Sequence, residues 1–129
     1  MFDFKEYYNV SKSIELDKEL SAKESYRRTA VSRAYYSAYK ISDNYLKSNY
    51  SNIYSGSTGK GGHQALWNLF GYVEDLKKLE VQNPGLRLLE KRKKADYNAN
   101  DVVNKIDMRL ANNEAETILN RIQKDPSNS

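Results

Sequence analysis

The sequence predicts an all-α fold, an up-and-down antiparallel bundle of four to five helices. Three observations predict it. Only two prolines and six glycines interrupt the 129 residues, no stretch alternates apolar and polar residues at period two, and apolar residues recur at helical spacing in five segments divided by short breaks. One core is enough for a chain of this length, so residues 1–124 are expected to form a single domain, with a disordered tail at 125–129.

The first segment runs from about residue 3 to 19, with Phe4, Tyr7, Tyr8, Ser11 and Ile14 close to one helical face. Ser21, in the KELSAK stretch, is placed as the N-cap of the second and longest segment, about 22–48. Residues 49–62, rich in Ser, Gly, Asn and Tyr, make either a flexible crossover or a functional loop. The third segment, about 63–79, carries Leu66, Phe70, Val73 and Leu76 on one face. Asn83-Pro84 reads as a cap followed by a first-turn proline, opening a fourth segment that ends near Tyr97. Asn100-Asp101 opens the fifth, whose stripe is Val103, Ile106, Leu110, Ile118 and Ile122.

Composition narrows the chemistry. Hydrophobic residues make up 39% and charged residues 29%, which predicts a chain that folds around a thin core. Without cysteine there are no disulfides, zinc knuckles or thiol nucleophiles, and one histidine excludes a multi-histidine metal site. No metal or other cofactor is therefore expected. No run of 18 apolar residues and no basic-then-apolar leader is visible, so the expectation is a cytoplasmic protein that does not enter the membrane. The net charge of +4 is too modest to name a partner, but eleven tyrosines are suited to half-buried surfaces, where rings meet a second subunit or a base.

Two segments have unusual faces. In the second, Tyr26, Ala30, Ala34, Ala38, Ile41 and Tyr45 form a core stripe with small residues for close helix packing. Nearly opposite lie Arg28, Ser32, Tyr35, Tyr36 and Tyr39, a polar and aromatic stripe that calls for a partner: another helix of the bundle, a dimer seam, or a ligand or RNA. In the fourth segment, Arg92 falls inside the inward stripe of Leu88, Leu89, Ala95 and Asp96. An inward guanidinium must be paired or aimed at an anion, so Arg92 is either a structural partner of Asp96 or a phosphate-recognising residue.

Other motifs carry less. The GSTGKGG stretch fails as a P-loop, because Tyr54 stands where its first Gly is needed, Gly61 follows Lys60 instead of Ser or Thr, and no buried strand precedes it. His63 has the side chain of a general base, yet no orienting partner is visible beside it, which favours a helix-start or packing role. Trp67 belongs to a core or an interface. The cluster Lys91 to Lys94, Lys93 included, either contacts phosphates or is a solvated face.

Taken together and in order, RRTAVSRAYYSAYK, GHQALWNLF and LLEKRKKADYN resemble the corresponding stretches of small stand-alone HEPN proteins. The resemblance implies a HEPN-like helical bundle that pairs as a homodimer, often encoded beside a minimal nucleotidyltransferase antitoxin in toxin-antitoxin or phage-defence settings. Many members are metal-independent endoribonucleases, in which an Arg followed five positions later by His forms the site at the dimer seam. Arg92 matches that Arg, but Tyr97 stands at the position of the His. Phenols titrate near pH 10 and are poor bases at neutral pH, and five residues of unbroken helix would turn the two side chains about 140° apart unless the helix ends there or the partner subunit supplies one of them. The resemblance therefore implies a seam site of Arg92, Asp96 and Tyr97, with Arg28, Ser32, Tyr36 and Lys93 as RNA- or nucleotide-binding residues. It also implies that Tyr97 is a possible target for AMP attachment by the antitoxin. Two further readings stand beside the ribonuclease: a non-catalytic module binding a nucleotide or partner protein, and a purely structural dimer subunit.

Overall fold

Ala30, Ala34 and Ala38 recur every fourth residue and are fully buried, so α3 (Glu24–Asn49) accepts close neighbours along its whole length. The computed structural model describes residues 1–56 and 62–125. Among them are seven helices: α1 (Lys5–Leu16), α2 (Lys18–Ser21), α3, α4 (Gly62–Tyr72), α5 (Glu74–Lys77), α6 (Gln82–Tyr97) and α7 (Lys105–Gln123). Most of the stretch read against the P-loop pattern, and most of the expected tail, lie outside the described residues.

Helix directions follow from paired contacts. Ser37 donates to the carbonyl of Phe4 while Ser11 donates to that of Ala30, so α1 and α3 are antiparallel. Arg28 reaches Lys94 and Ala95 while Arg92 lies over Tyr35, which makes α3 and α6 antiparallel. Arg87 pairs with Glu114 and Lys94 with Asp107, so α7 reverses again. The four long helices thus alternate up and down, as the periodicity predicts. Helix α4, from the third expected segment, departs from that alternation: it meets Tyr35 through His63 and Tyr45 through Phe70, running in the same sense as α3. The chain therefore crosses back between them, and Tyr54 is tied to Asp43 on the way. No helix among the described residues is long and apolar enough to cross a membrane.

Several boundaries differ from the expectation for local reasons. Asp17 is extended (φ −93°, ψ 117°) and accepts hydrogen bonds from the backbone of Glu19 and Leu20, capping a short α2 and breaking the first segment. Ser21 is not the cap of α3; it lies buried at the end of α2, and Lys23 precedes α3 without a side-chain cap bond. Val73, also extended, divides the third segment into α4 and α5. Helix α6 begins at Gln82, so Asn83 and Pro84 sit inside its first turn. Helix α7 begins later than expected, because Asn104 and Asp107 form a reciprocal capping box.

The core also differs in phase along α7. Its buried face is Met108, Ala111, Asn112, Ala115, Ile118, Leu119 and Ile122, whereas Ile106 and Leu110 are exposed. Asn112 is held inside by Ser11, Glu15 and the Ser11 carbonyl, which gives its polar atoms partners in an otherwise apolar layer. Tyr26 is exposed, not buried, on α3. Trp67 is fully buried core, and α6 crosses its ring at Gly85, where an added Cβ would lie 2.2 Å from the indole. Only a glycine allows that approach.

Candidate functional site

The aromatic stripe of α3 finds its partners inside the chain. Tyr35 and Tyr39 are buried beneath α4 and α6, while Tyr36 turns to the N-terminus, with ring centroids 6.2 Å from Phe4 and 5.6 Å from Tyr7. A second subunit is not needed to cover those rings. Tyr36, expected at the site, is instead one ring removed from it, 6.4 Å from Tyr39.

Arg92 is where the inward stripe of α6 meets this aromatic floor. Leu88, Leu89 and Ala95 are buried around its backbone, but its side chain keeps 24% exposure. The guanidinium carbon lies 5.7 Å from the Tyr35 ring centroid and 5.2 Å from that of Tyr97. Nε donates to Asp96 Oδ2 at 2.9 Å and Nη2 to Tyr97 Oη at 3.1 Å. An arginine has five N–H donors, so three remain without a protein acceptor among the described residues, in the fork that suits an oxyanion. Asp96 also accepts a long bond, 3.4 Å, from Ser32 Oγ.

The angular objection to Arg92 and Tyr97 is removed by the end of the helix. Tyr97 is the last residue of α6 and Asn98 is extended (φ −104°, ψ 93°), so the ring, 71% exposed, folds back to the guanidinium within one chain.

The reason α6 stops there is Arg28. Its Nη1 donates to the carbonyls of Lys94 (3.1 Å) and Ala95 (3.0 Å), its Nη2 to those of Asn98 (3.0 Å) and Asp101, and its Nε to Glu24 at 3.3 Å. The Ala95 carbonyl is one that the helix C-terminus leaves unpaired, that of Lys94 also accepts the Asn98 N–H at 3.2 Å, and those of Asn98 and Asp101 lie in the segment just beyond the helix. All five donors are engaged, so Arg28, expected to bind RNA or nucleotide, serves as a cap. Lys93 is exposed and paired with Glu90 at 3.2 Å.

The residue that the Arg-to-His spacing obscures is His63. It enters from the first turn of α4, stacked on Tyr39 at 4.1 Å, with Nδ1 at 2.8 Å from Tyr35 Oη. Trp67 Nε1 donates to the same phenol oxygen at 3.2 Å. Tyr35 is buried, and its hydroxyl proton finds its acceptor, among the described residues, in His63 Nδ1. That fixes the tautomer: Nδ1 accepts and Nε2 carries the hydrogen. Burial, and then the charge of Arg92, hold the imidazole pKa below its ordinary value; Asp43 opposes this and Lys93 adds to it. His63 is thus a neutral N–H donor at neutral pH. Burial likewise pushes the Tyr35 phenol well up, keeping its proton in place.

Ser32 and Asp96 line a groove of about 410 Å3 between α3 and the end of α6, with Arg28, Thr29 and Arg33 on its α3 wall. Two larger hollows, about 470 and 660 Å3, open elsewhere, around Arg121. The arginines there are already engaged, Arg87 by Glu114 and Arg121 by the Glu80 carbonyl. No group of three or more metal-ligating side chains occurs among the described residues. No protein-family model matches the chain, and neither a curated protein nor a solved structure matches it significantly.

Proposed function

We propose that this chain is an RNA-directed protein of the HEPN type, ribonuclease-like, in which Arg92 grips a phosphate of RNA beside Asp96 and Tyr97. The observation that carries this reading is the unspent half of the Arg92 guanidinium: three donors, partly desolvated, aimed out of an aromatic floor. His63 supplies a fourth donor through Nε2–H, so that a phosphate held by the cationic Arg92 meets a neutral donor beside it and no competing base. In this proposal the chain pairs as a homodimer, the exposed Tyr97 and Val102 lying at the seam, and it works in a toxin-antitoxin or phage-defence setting with a nucleotidyltransferase as partner.

Cleavage without a metal needs a group that moves a proton. A specific observation favours the second reading, a non-catalytic module that holds RNA or a nucleotide: Tyr35 occupies the basic nitrogen of His63, and the depressed pKa makes its imidazolium scarce. The two separate in one assay. End-labelled RNA is incubated in EDTA with the wild type, Arg92→Ala and His63→Gln. Cutting by the wild type that both variants lose supports the ribonuclease; RNA bound through Arg92 but left intact at high protein concentration supports the binding module. RNA neither cut nor bound overturns both.

A further inference from the structure

We infer that Arg33, Tyr7 and Tyr36 form a stacking subsite for a nucleobase of a single-stranded RNA whose phosphate is held at Arg92. The inference rests on the RNA reading above and names the form of RNA.

Arg33 is set apart from most arginines of the chain. Arg27, Arg28, Arg87, Arg92 and Arg121 each donate to a carbonyl, a carboxylate or a phenol. Arg33 makes no hydrogen bond or ion pair among the described residues; its guanidinium carbon lies 5.0 Å from the Tyr7 ring centroid and 5.4 Å from that of Tyr36. A guanidinium set over two phenol rings that themselves meet at 61° keeps its N–H donors for solvent or a ligand. The hydroxyls of Tyr7 and Tyr36 make no hydrogen bond among the described residues, although both rings are half-buried. Flat aromatic and guanidinium surfaces with unspent polar edges are what splayed bases stack upon.

Position ties this platform to the phosphate site. The rings of Tyr36 and Tyr39 lie 29° from parallel, those of Tyr39 and His63 13°, and His63 bonds to the tyrosine that underlies Arg92. On the other flank, Arg33 opens onto the groove that ends at Asp96, the carboxylate partner of Arg92. Arg33 and Arg92 bring positive charge to the two ends of one track, as a strand with a negative charge per nucleotide requires. Bases paired inside a duplex would not reach the platform.

The test is fluorescence anisotropy with three labelled ligands: a single-stranded RNA oligomer, the same sequence as a duplex, and an abasic strand of equal length. The proteins are the wild type, Arg33→Ala, Tyr36→Leu and Arg92→Ala, each checked for folding by thermal unfolding. Tyr36→Leu is expected to weaken single-strand binding about tenfold, the typical loss when one stacked base is released, and to leave the abasic strand unchanged; Arg33→Ala, which also removes a charge, is expected to weaken the single strand about tenfold and the abasic strand clearly less. Arg92→Ala weakens both strands. If Tyr36→Leu unfolds, Arg33→Ala, at a half-exposed position, decides alone. Equal single-strand binding by wild type and Arg33→Ala, or a loss equally large on the abasic strand, or preference for the duplex, overturns the subsite while leaving the phosphate site standing. Absence of any RNA binding by the wild type overturns both.

Discussion

Arg28 and Arg92 stand on facing helices, at similar depth, on the same flank of the bundle, and their donors meet opposite fates. Arg28 gives all five N–H groups to the protein, four of them to carbonyls at or just beyond the end of α6. Arg92 gives two and keeps three. The comparison teaches that inward placement of an arginine does not by itself mark a ligand site; the count of spent donors does. It also shows that one arginine builds the other's surroundings, because the cap made by Arg28 ends α6 at Tyr97 and lets that ring return to Arg92.

The largest effect should come from removing the cap. Arg28→Ala leaves the Ala95 carbonyl without a partner, unties the segment from Asn98 to Asp101 from α3, and is expected to destabilise the fold by about 2 kcal/mol, seen as a lower urea midpoint. Arg28→Lys should recover little of this, since one ammonium cannot span carbonyls from Lys94 to Asp101. Loss as small as for a surface residue would break the comparison. Arg92→Ala, by contrast, removes one partly exposed ion pair and should cost about 1 kcal/mol or less in the same experiment. If Arg92→Leu leaves every activity intact and stabilises the protein, the purely structural reading of Arg92 is the correct one.

His63 sharpens the comparison through pH. Its folded pKa is below the unfolded value, so its contribution to stability is fully present above about pH 6.5 and is lost as pH falls through the lower folded value. It is the single histidine of the chain, so the loss of stability between pH 7 and 5.5 should flatten in His63→Gln, measured by thermal unfolding at each pH. An identical slope in the variant would mean that burial and Arg92 do not hold the imidazole neutral. The smallest effect is expected from Ser32→Ala. Its bond to Asp96 is long and Asp96 keeps Arg92, so stability should move by less than about 0.5 kcal/mol.

How much of this was legible in the sequence depends on the kind of partner each residue has. The bundle was readable because its signal, apolar recurrence, belongs to the residues themselves, and so was the inward turn of Arg92 among Leu88, Leu89 and Ala95. The role of Arg28 was not, because its partners are backbone carbonyls some 66 to 73 residues away, and a carbonyl has no residue type to read. His63 lacked a visible orienting group because that group is Tyr35, 28 residues upstream on another helix. Tyr35 and Tyr39 read as a stripe in need of a partner, with the partner left open because tyrosine suits helix packing, a subunit seam and a ligand alike; α4 and α6 decide the matter by covering them. The phase of α7 was misread where apolar Ile106 and Leu110 lie outside and polar Asn112 lies inside. Asp17 hid a helix break inside an otherwise continuous pattern, its cap bonds reaching only two and three residues ahead.

The most direct test of the central claim compares Arg92 with a lysine that keeps the charge and loses the fork. Calorimetric titration of a single-stranded RNA oligomer at fixed low salt into the wild type and Arg92→Lys should show binding by the first and affinity about tenfold weaker in the second, because an ammonium cannot offer two parallel donors to one phosphate. Equal affinity in the two proteins, or no heat of binding in the wild type, would contradict it.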